Sequence, residues 1–144
     1  MRLWSWQLLP YLPDLQLRGQ LMELVGLMHE WRDKGTTNHL VVNKVMEYPK
    51  SELSGYFKYY KDIMRRRYGN NLDKYIAEFR DFSGPAHHKD SFFDGWHDRE
   101  YMRVCMANLY EKYRFGVGKS RITQEQWEVL CIGYKKYTGE DYKI

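Results

Sequence analysis

The sequence lacks the long apolar runs that membrane proteins and secretory leaders carry. No stretch of its 144 residues approaches the roughly 18 apolar residues of a membrane span, and the opening "MRLWSWQLLP" is too short and too polar for a signal peptide. The length suits one domain with one core. We therefore expect a single cytosolic domain over residues 1–144 that works as a monomer and does not bind membranes.

Cysteine is also scarce, with two residues in the whole chain. Cys105 and Cys131 each lie inside an apolar helical pattern without the spacing of metal ligands, which favours buried reduced thiols over a disulfide or a zinc site. The segment "GVGKS" lacks the first glycine of a phosphate-binding loop, since Tyr113 stands there and a helix precedes it.

The five histidines do not have the spacing of a metal site. His87 and His88 are adjacent, and adjacent side chains do not converge on one face of a helix. The others, His29, His39 and His97, are scattered. Ordinary loop and surface histidines are the favoured interpretation, and no metal is expected.

Aromatic residues and positive charge are, by contrast, plentiful. Aromatic residues make up 17% of the chain, with 13 tyrosines and 5 tryptophans, and the net charge is +4. Positive charge attracts phosphate, and aromatic rings offer faces on which unstacked bases can lie. On composition alone, a mildly basic globular protein with tyrosine-rich packing fits these values better than a nucleic-acid-binding protein.

Apolar residues recur at helical spacing along most of the chain. In "DLQLRGQLMELVGLMHEW" this spacing predicts a long first helix that begins near Asp14. Further patterns predict a helix from a Ser51 cap to Gly69, a shorter one in "LDKYIAEFRDF", one that ends at Gly116, and a last one with a capping box at Thr123. The β-branched segment "LVVNKVMEYP" predicts an extended loop or a short helix. The predicted fold is all-α, a compact domain of four to five helices.

The chain opens with "MRLW". Arg2 is too bulky for the enzymes that remove an initiator methionine, so we expect Met1 to keep a free α-amine.

On the first helix, Glu23 projects beside Gly19 and Gly26 and away from the apolar stripe. Because interior glycines cost a helix about 0.5–1 kcal/mol each, they suggest the close approach of a backbone or a ligand. The favoured alternative is that another segment packs there and Glu23 is merely solvated.

The C-terminal segment "WEVLCIGYKKYTGEDYK" interleaves aromatic and basic residues. Lys135 and Lys136 can meet phosphates, while Trp127, Tyr134 and Tyr137 offer rings to partly unstacked DNA. A charged tail that packs its tyrosines on the first helix is an equally good interpretation.

Taken together, these segments resemble the pyrimidine-dimer DNA glycosylases of the phage endonuclease V type, in a bacterial branch of that family. "MRLWSWQLLPYLPDLQLRGQLMEL" is similar to their N-terminal segment, "GYKKYTG" to their C-terminal stretch, and "HDREYMRVCMANLYEK" weakly to the helix before it, with the middle unmatched. Arg2 and Glu23 match an arginine beside the family's N-terminal residue and a glutamate on its first long helix. Met22 and Gly26 stand where the family has arginines that help to hold DNA, and Met1 stands where the phage member has a processed threonine.

The resemblance implies a DNA repair glycosylase with AP lyase activity on double-stranded DNA that contains a damaged pyrimidine or an abasic site. The Met1 amine would attack the sugar C1′, Glu23 would stabilise the cationic sugar and move protons, and Arg2 would bind a flanking phosphate. An α-amine suits this role because it titrates near 7.7–8.0, against about 10.4 for lysine. No metal or cofactor is implied. Two alternatives remain: a catalytically inactive DNA-binding module of the same fold, and a metal-dependent hydrolase that uses the histidines.

Overall fold

The computed structural model describes residues 2–35, 40–86 and 89–144. Its elements in chain order are a 3-10 helix at Leu9–Tyr11, α1 at Asp14–Lys34, α2 at Leu40–Val45, α3 at Lys50–Tyr68, α4 at Asp73–Ser83, α5 at Arg99–Phe115, a second 3-10 helix at Gly118–Ser120, and α6 at Gln124–Thr138. No strand occurs among these residues, which confirms the all-α prediction. None of the helices described is long and apolar enough to cross a membrane.

The helix count differs from the expected four to five because the segment around Val45 forms the short helix α2. The expected stop of α3 is confirmed at Gly69, whose φ of 70° is the left-handed conformation that favours glycine. The capping box at Thr123 is also confirmed. The expected Ser51 cap is wrong, since α3 begins at Lys50 after an extended Pro49 with no side-chain cap. Proline fixes φ, and the cap position lies two residues earlier than the pattern suggested, at Pro49 in place of Ser51.

Internal contacts divide the chain into two units that alternate along the sequence. Unit 1 comprises Met1–Leu3 and Gln20–Phe93, and unit 2 comprises Trp4–Gly19 and Asp94–Ile144. Helix α1 therefore begins in unit 2 and continues in unit 1. The single-domain expectation stays a prediction.

Unit 1 is built around the pairing of α3 with α4. The rings of Phe57 on α3 and Phe79 on α4 stack with centroids 4.1 Å apart and planes within 8° of each other. Leu24 and Met28, from the predicted stripe of α1, are fully buried. The apolar faces expected from helical spacing are thus the faces that form this core.

Unit 2 is built around α6, which packs against α5 and the first 3-10 helix. A Cβ atom added at Gly133 of α6 would lie 2.5 Å from Cγ of Tyr11, so the glycine admits that ring against the helix backbone. Cys105 is buried, Cys131 is half-buried, and neither forms a disulfide.

His97 is a buried part of unit 2. Its Nδ1 accepts a hydrogen bond from the Trp6 backbone N–H at 3.2 Å. Burial lowers the pKa of His97 to about 3, which keeps the ring neutral at pH 7. His97 is therefore a core histidine with a structural hydrogen bond.

The two helical glycines Gly133 and Gly19 should respond in opposite directions to alanine. Gly133→Ala forces Tyr11 to shift and should lower the free energy of unfolding by about 1–3 kcal/mol. Gly19→Ala is the matched control, because an added Cβ there meets no described atom within 4 Å. It should raise the free energy of unfolding by about 0.5–1 kcal/mol through helix propensity. Urea denaturation measures both, and equal stability of the two variants would contradict the packing of Tyr11 on α6.

Candidate functional site

The N-terminal segment is hydrogen-bonded directly to helix α1 within unit 1. The backbone N–H of Arg2 donates to Oε2 of Glu23 with an N–O distance of 3.0 Å. The neighbouring Leu3 is buried, which anchors the segment beside the helix. Glu23 itself is half-buried. A carboxylate from the first helix therefore lies next to the beginning of the chain.

Gln20 holds both partners of this hydrogen bond. Its side-chain Nε2 donates to the carbonyl oxygen of Arg2 at 2.9 Å and to Oε2 of Glu23 at 3.1 Å. Gln20 lies one turn before Glu23 on α1, so the two side chains share a face of the helix. With 1% exposure, the Gln20 amide is held inside the protein.

Tyr56 of α3 completes the arrangement. Its hydroxyl donates to Oε1 of Gln20 at 3.3 Å, and its side chain is fully buried. A hydrogen bond to the amide oxygen fixes which way the amide faces, and therefore directs Nε2 towards Arg2 and Glu23. We call Arg2, Gln20, Glu23 and Tyr56 the Glu23 network.

The two hydrogen bonds to Glu23 both end on Oε2. Its Oε1 takes no hydrogen bond from the described residues. The carboxylate is thus fixed through one of its two oxygens. The alternative that Glu23 is merely solvated does not hold.

Gly19, beside Glu23 on the helix, is not covered by another part of the described chain. Gly19 is exposed, and no atom of the described chain lies within 4 Å of an added Cβ. Packing by another segment of the described chain therefore does not explain this glycine. Met22, where the resemblance implies an arginine, is also exposed.

The aromatic and basic residues proposed for DNA binding separate into two groups on α6. Tyr134 is fully buried and Trp127 is 9% exposed, because their spacing places them on the apolar face of the helix. Tyr134 has no exposed surface in this structure, and the roles of Tyr134 and Trp127 in DNA binding stay predictions. Both rings pack in the core of unit 2.

The second group consists of Lys135, Lys136 and Tyr137, at the end of α6. Lys135 Nζ lies 3.2 Å from Oδ1 of Asp141, and both side chains are exposed. Lys136 Nζ lies 5.6 Å from the centre of the Tyr137 ring, which is 40% exposed and meets Trp6 edge-on. These three residues can reach a ligand in solvent, and their role in DNA binding stays a prediction.

The two histidines that the structure describes, His29 and His97, each lie in a different environment. His29 Nε2 lies 3.1 Å from Oε2 of Glu78, and His97 is buried. His39, His87 and His88 lie outside the described residues, as does Met1. No group of three histidine, cysteine, aspartate or glutamate side chains in the described ranges could hold a metal ion.

A family model described as pyrimidine dimer DNA glycosylase matches residues 1–76. The match spans 76 of the 144 residues, more than half of the chain. The chain belongs to this family. The matched residues include the whole Glu23 network and much of the middle that the sequence resemblance left unmatched, whereas α6 lies beyond the match. No curated protein and no solved structure matches this chain.

Arg2 and Glu23 were predicted from the sequence as site residues, whereas Gln20 and Tyr56 were not. The position of Gln20 one turn before Glu23 was a usable signal. Its contact with the Arg2 carbonyl and the contribution of Tyr56 from α3 are long-range contacts that no helical pattern encodes.

A double-mutant cycle tests the Glu23 network. Gln20→Leu removes two donated hydrogen bonds and should lower the free energy of unfolding by about 1–3 kcal/mol, and Tyr56→Phe should lower it by about 0.5–1.5 kcal/mol. Because the two residues share a hydrogen bond, the double variant should lose at least about 0.5 kcal/mol less than the sum. Chemical denaturation measures these values.

The control is an exposed glutamine with a similar partner. Gln124 Nε2 donates to Oε1 of Glu128 at 3.2 Å on the surface of α6, so Gln124→Leu should change stability by less than about 0.5 kcal/mol. Additive losses in the Gln20 and Tyr56 cycle would mean that the two side chains act independently.

Proposed function

We propose that this protein is a DNA glycosylase with AP lyase activity that excises a damaged pyrimidine through an imine on the α-amine of Met1. The family membership supports a DNA substrate, and the hydrogen bond between the Arg2 amide and Glu23 supports the assignment of the reacting groups. Met1 is the nucleophile in this proposal, and Glu23 is the catalytic carboxylate. We expect a cytosolic enzyme that acts as a monomer.

Covalent geometry supports the pairing of these two groups. The α-amine of residue 1 is separated from the Arg2 nitrogen by three bonds, which limits their distance to less than about 4 Å. The Arg2 nitrogen lies 3.0 Å from the Glu23 carboxylate. An amine and a carboxylate at such separations can act on the same deoxyribose.

In the first step the amine lone pair forms a bond to C1′ while the bond from C1′ to the base breaks. The base leaves with that electron pair and takes up a proton. Glu23 stabilises the positive charge that develops on the sugar, accepts a proton from the attacking nitrogen, and donates it to O4′ as the bond from C1′ to O4′ opens. The product is an iminium between the protein nitrogen and C1′.

In the second step the iminium withdraws electrons from C2′, which loses a proton. The electron pair then expels the 3′ phosphate as the bond from C3′ to oxygen breaks, and water finally hydrolyses the imine. No metal or cofactor takes part in these steps. Because C1′ is shielded in a stacked duplex, a base must first be extruded, which costs least at a lesion.

Three cations, the half-buried Arg2 and the exposed Lys135 and Lys136, supply the remaining DNA contacts in this proposal. We assign a flanking phosphate to the Arg2 guanidinium, and further phosphates to Lys135 and Lys136 with Tyr137 beside them. The ion pair of Lys135 with Asp141 is exposed and worth about 1 kcal/mol or less, so a phosphate can replace the carboxylate.

Borohydride trapping tests the nucleophile. Intact-mass spectrometry first verifies that the purified chain begins at Met1. With duplex DNA that contains an abasic site, borohydride should reduce the imine to a stable adduct that maps to the N-terminal peptide. A tag that precedes Met1 should abolish the adduct, whereas the same tag at the C-terminus should leave it unchanged. An adduct that persists with the N-terminal tag, or that maps to a lysine, would overturn the assignment. DNA binding without any adduct would favour the inactive binding module.

Glu23→Gln tests the carboxylate. The amide oxygen of glutamine can still accept from Arg2, so the segment should stay in place while proton transfer is lost. Single-turnover strand cleavage should fall at least about 100-fold with DNA affinity retained. Glu111→Gln, at an exposed position on α5, is the matched control and should cleave like the wild type. Wild-type cleavage by Glu23→Gln would show that Glu23 only holds the N-terminal segment.

A further inference from the structure

A second candidate site lies entirely within unit 2, where α5 ends and α6 begins. The residues around it include the rings of Tyr110, Tyr113 and Trp127 and the guanidinium groups of Arg114 and Arg121, and its volume is about 500 Å³. The proposed reaction uses none of these residues. Trp127 is the one among them that the sequence predicted to contact DNA.

The rings form an ordered aromatic wall. Tyr113 and Trp127 are parallel within 3°, with centroids 5.5 Å apart. Tyr110 meets Trp127 at 60° and the same centroid distance. Tyr113 is half-buried, so part of its ring reaches the pocket while the rest is fixed by packing. Such a platform suits a flat ligand.

The backbone brings the two arginines to the same pocket. The carbonyl oxygen of Lys112 accepts from the N–H groups of both Gly116 and Ile122, at 3.1 and 3.2 Å. A Cβ at Gly116 would overlap that carbonyl and lie 3.0 Å from Cα of Arg121. The glycine thus allows the connection between the helices to fold back onto the end of α5, close to Arg114.

The same connection is basic and partly apolar at its surface. The ten residues from Lys112 to Arg121 contain four cations, completed by Arg114 and Lys119, and no acidic residue. Phe115 and Val117 are 75% and 80% exposed. Positive charge beside exposed rings matches a ligand that has both phosphates and flat apolar faces.

We propose that this pocket binds one unstacked nucleotide of the DNA, with its base against Tyr113 and its flanking phosphates on Arg114 and Arg121. The inference rests on the proposed DNA substrate. Every base has an aromatic face, so this contact is independent of sequence, and guanidinium groups bind phosphate oxygens in pairs. An acidic peptide would use the arginines but would leave the aromatic wall without a partner.

Two sets of variants of the full chain test the site. Arg114→Gln with Arg121→Gln removes the phosphate contacts, and Tyr113→Leu removes the ring while Tyr113→Phe keeps it. Lys34→Gln with Lys74→Gln removes the same charge from exposed positions of unit 1 and is the matched control. Fluorescence anisotropy measures the affinity for oligothymidylate and for an intact duplex of equal length over a range of KCl concentrations.

The double arginine variant should reduce the slope of log affinity against log salt by up to about 1.4 on oligothymidylate, whereas the lysine control should not. Tyr113→Leu should weaken oligothymidylate binding about fivefold or more and duplex binding by less, and Tyr113→Phe should bind like the wild type. The proposal would be overturned by an unchanged salt slope in the double arginine variant or by an equal effect of Tyr113→Leu on both DNAs. It would also be overturned if polyglutamate displaced oligothymidylate as well as unlabelled oligothymidylate does.

Borohydride trapping at saturating protein separates this inference from the proposed catalysis. The double arginine variant should form the wild-type amount of adduct, because the pocket contributes binding only. If no protein forms an adduct but the variants lose DNA affinity as described, the pocket stands and the proposed reaction falls. If trapping is normal and the variants bind like the wild type, the pocket alone falls.

Discussion

The arrangement at the beginning of the chain depends on one buried amide. Gln20 donates to the Arg2 carbonyl and to the Glu23 carboxylate, and Tyr56 fixes the amide from α3. Burying a polar side chain is favourable only when its hydrogen bonds are made, so this amide has a stabilising role only in the presence of its partners. The N-terminal segment and the carboxylate are thereby held at a defined distance.

That constraint connects the sequence pattern to the proposed chemistry. Helix α1 buries Leu24 and Met28 in unit 1, and the same helix carries Gln20 and Glu23 one turn apart on another face. An α-amine is more nucleophilic than lysine at neutral pH because more of it is unprotonated. In the proposed reaction, the carboxylate of Glu23 moves the protons while this amine forms the imine at the sugar.

Much of the fold could be predicted because helical spacing and capping are local properties. The stripe of α1, the stop at Gly69 and the box at Thr123 all follow from neighbours in sequence. The roles of Gln20 and Tyr56 could not be predicted, since their partners are distant in the chain. Tyr134 is buried because it lies on the same face of α6 as Trp127 and Leu130, at helical spacing. The pocket beside Tyr113 could not be predicted from helical spacing, because it depends on the connection after Gly116 folding back onto the end of α5.

Proton–nitrogen correlation NMR tests most directly whether the peptide group between residues 1 and 2 is hydrogen-bonded to Glu23. We expect the Arg2 amide proton to exchange slowly with solvent and its chemical shift to change in Glu23→Gln. A fast-exchanging Arg2 amide whose shift is the same in the wild type and in Glu23→Gln would contradict it.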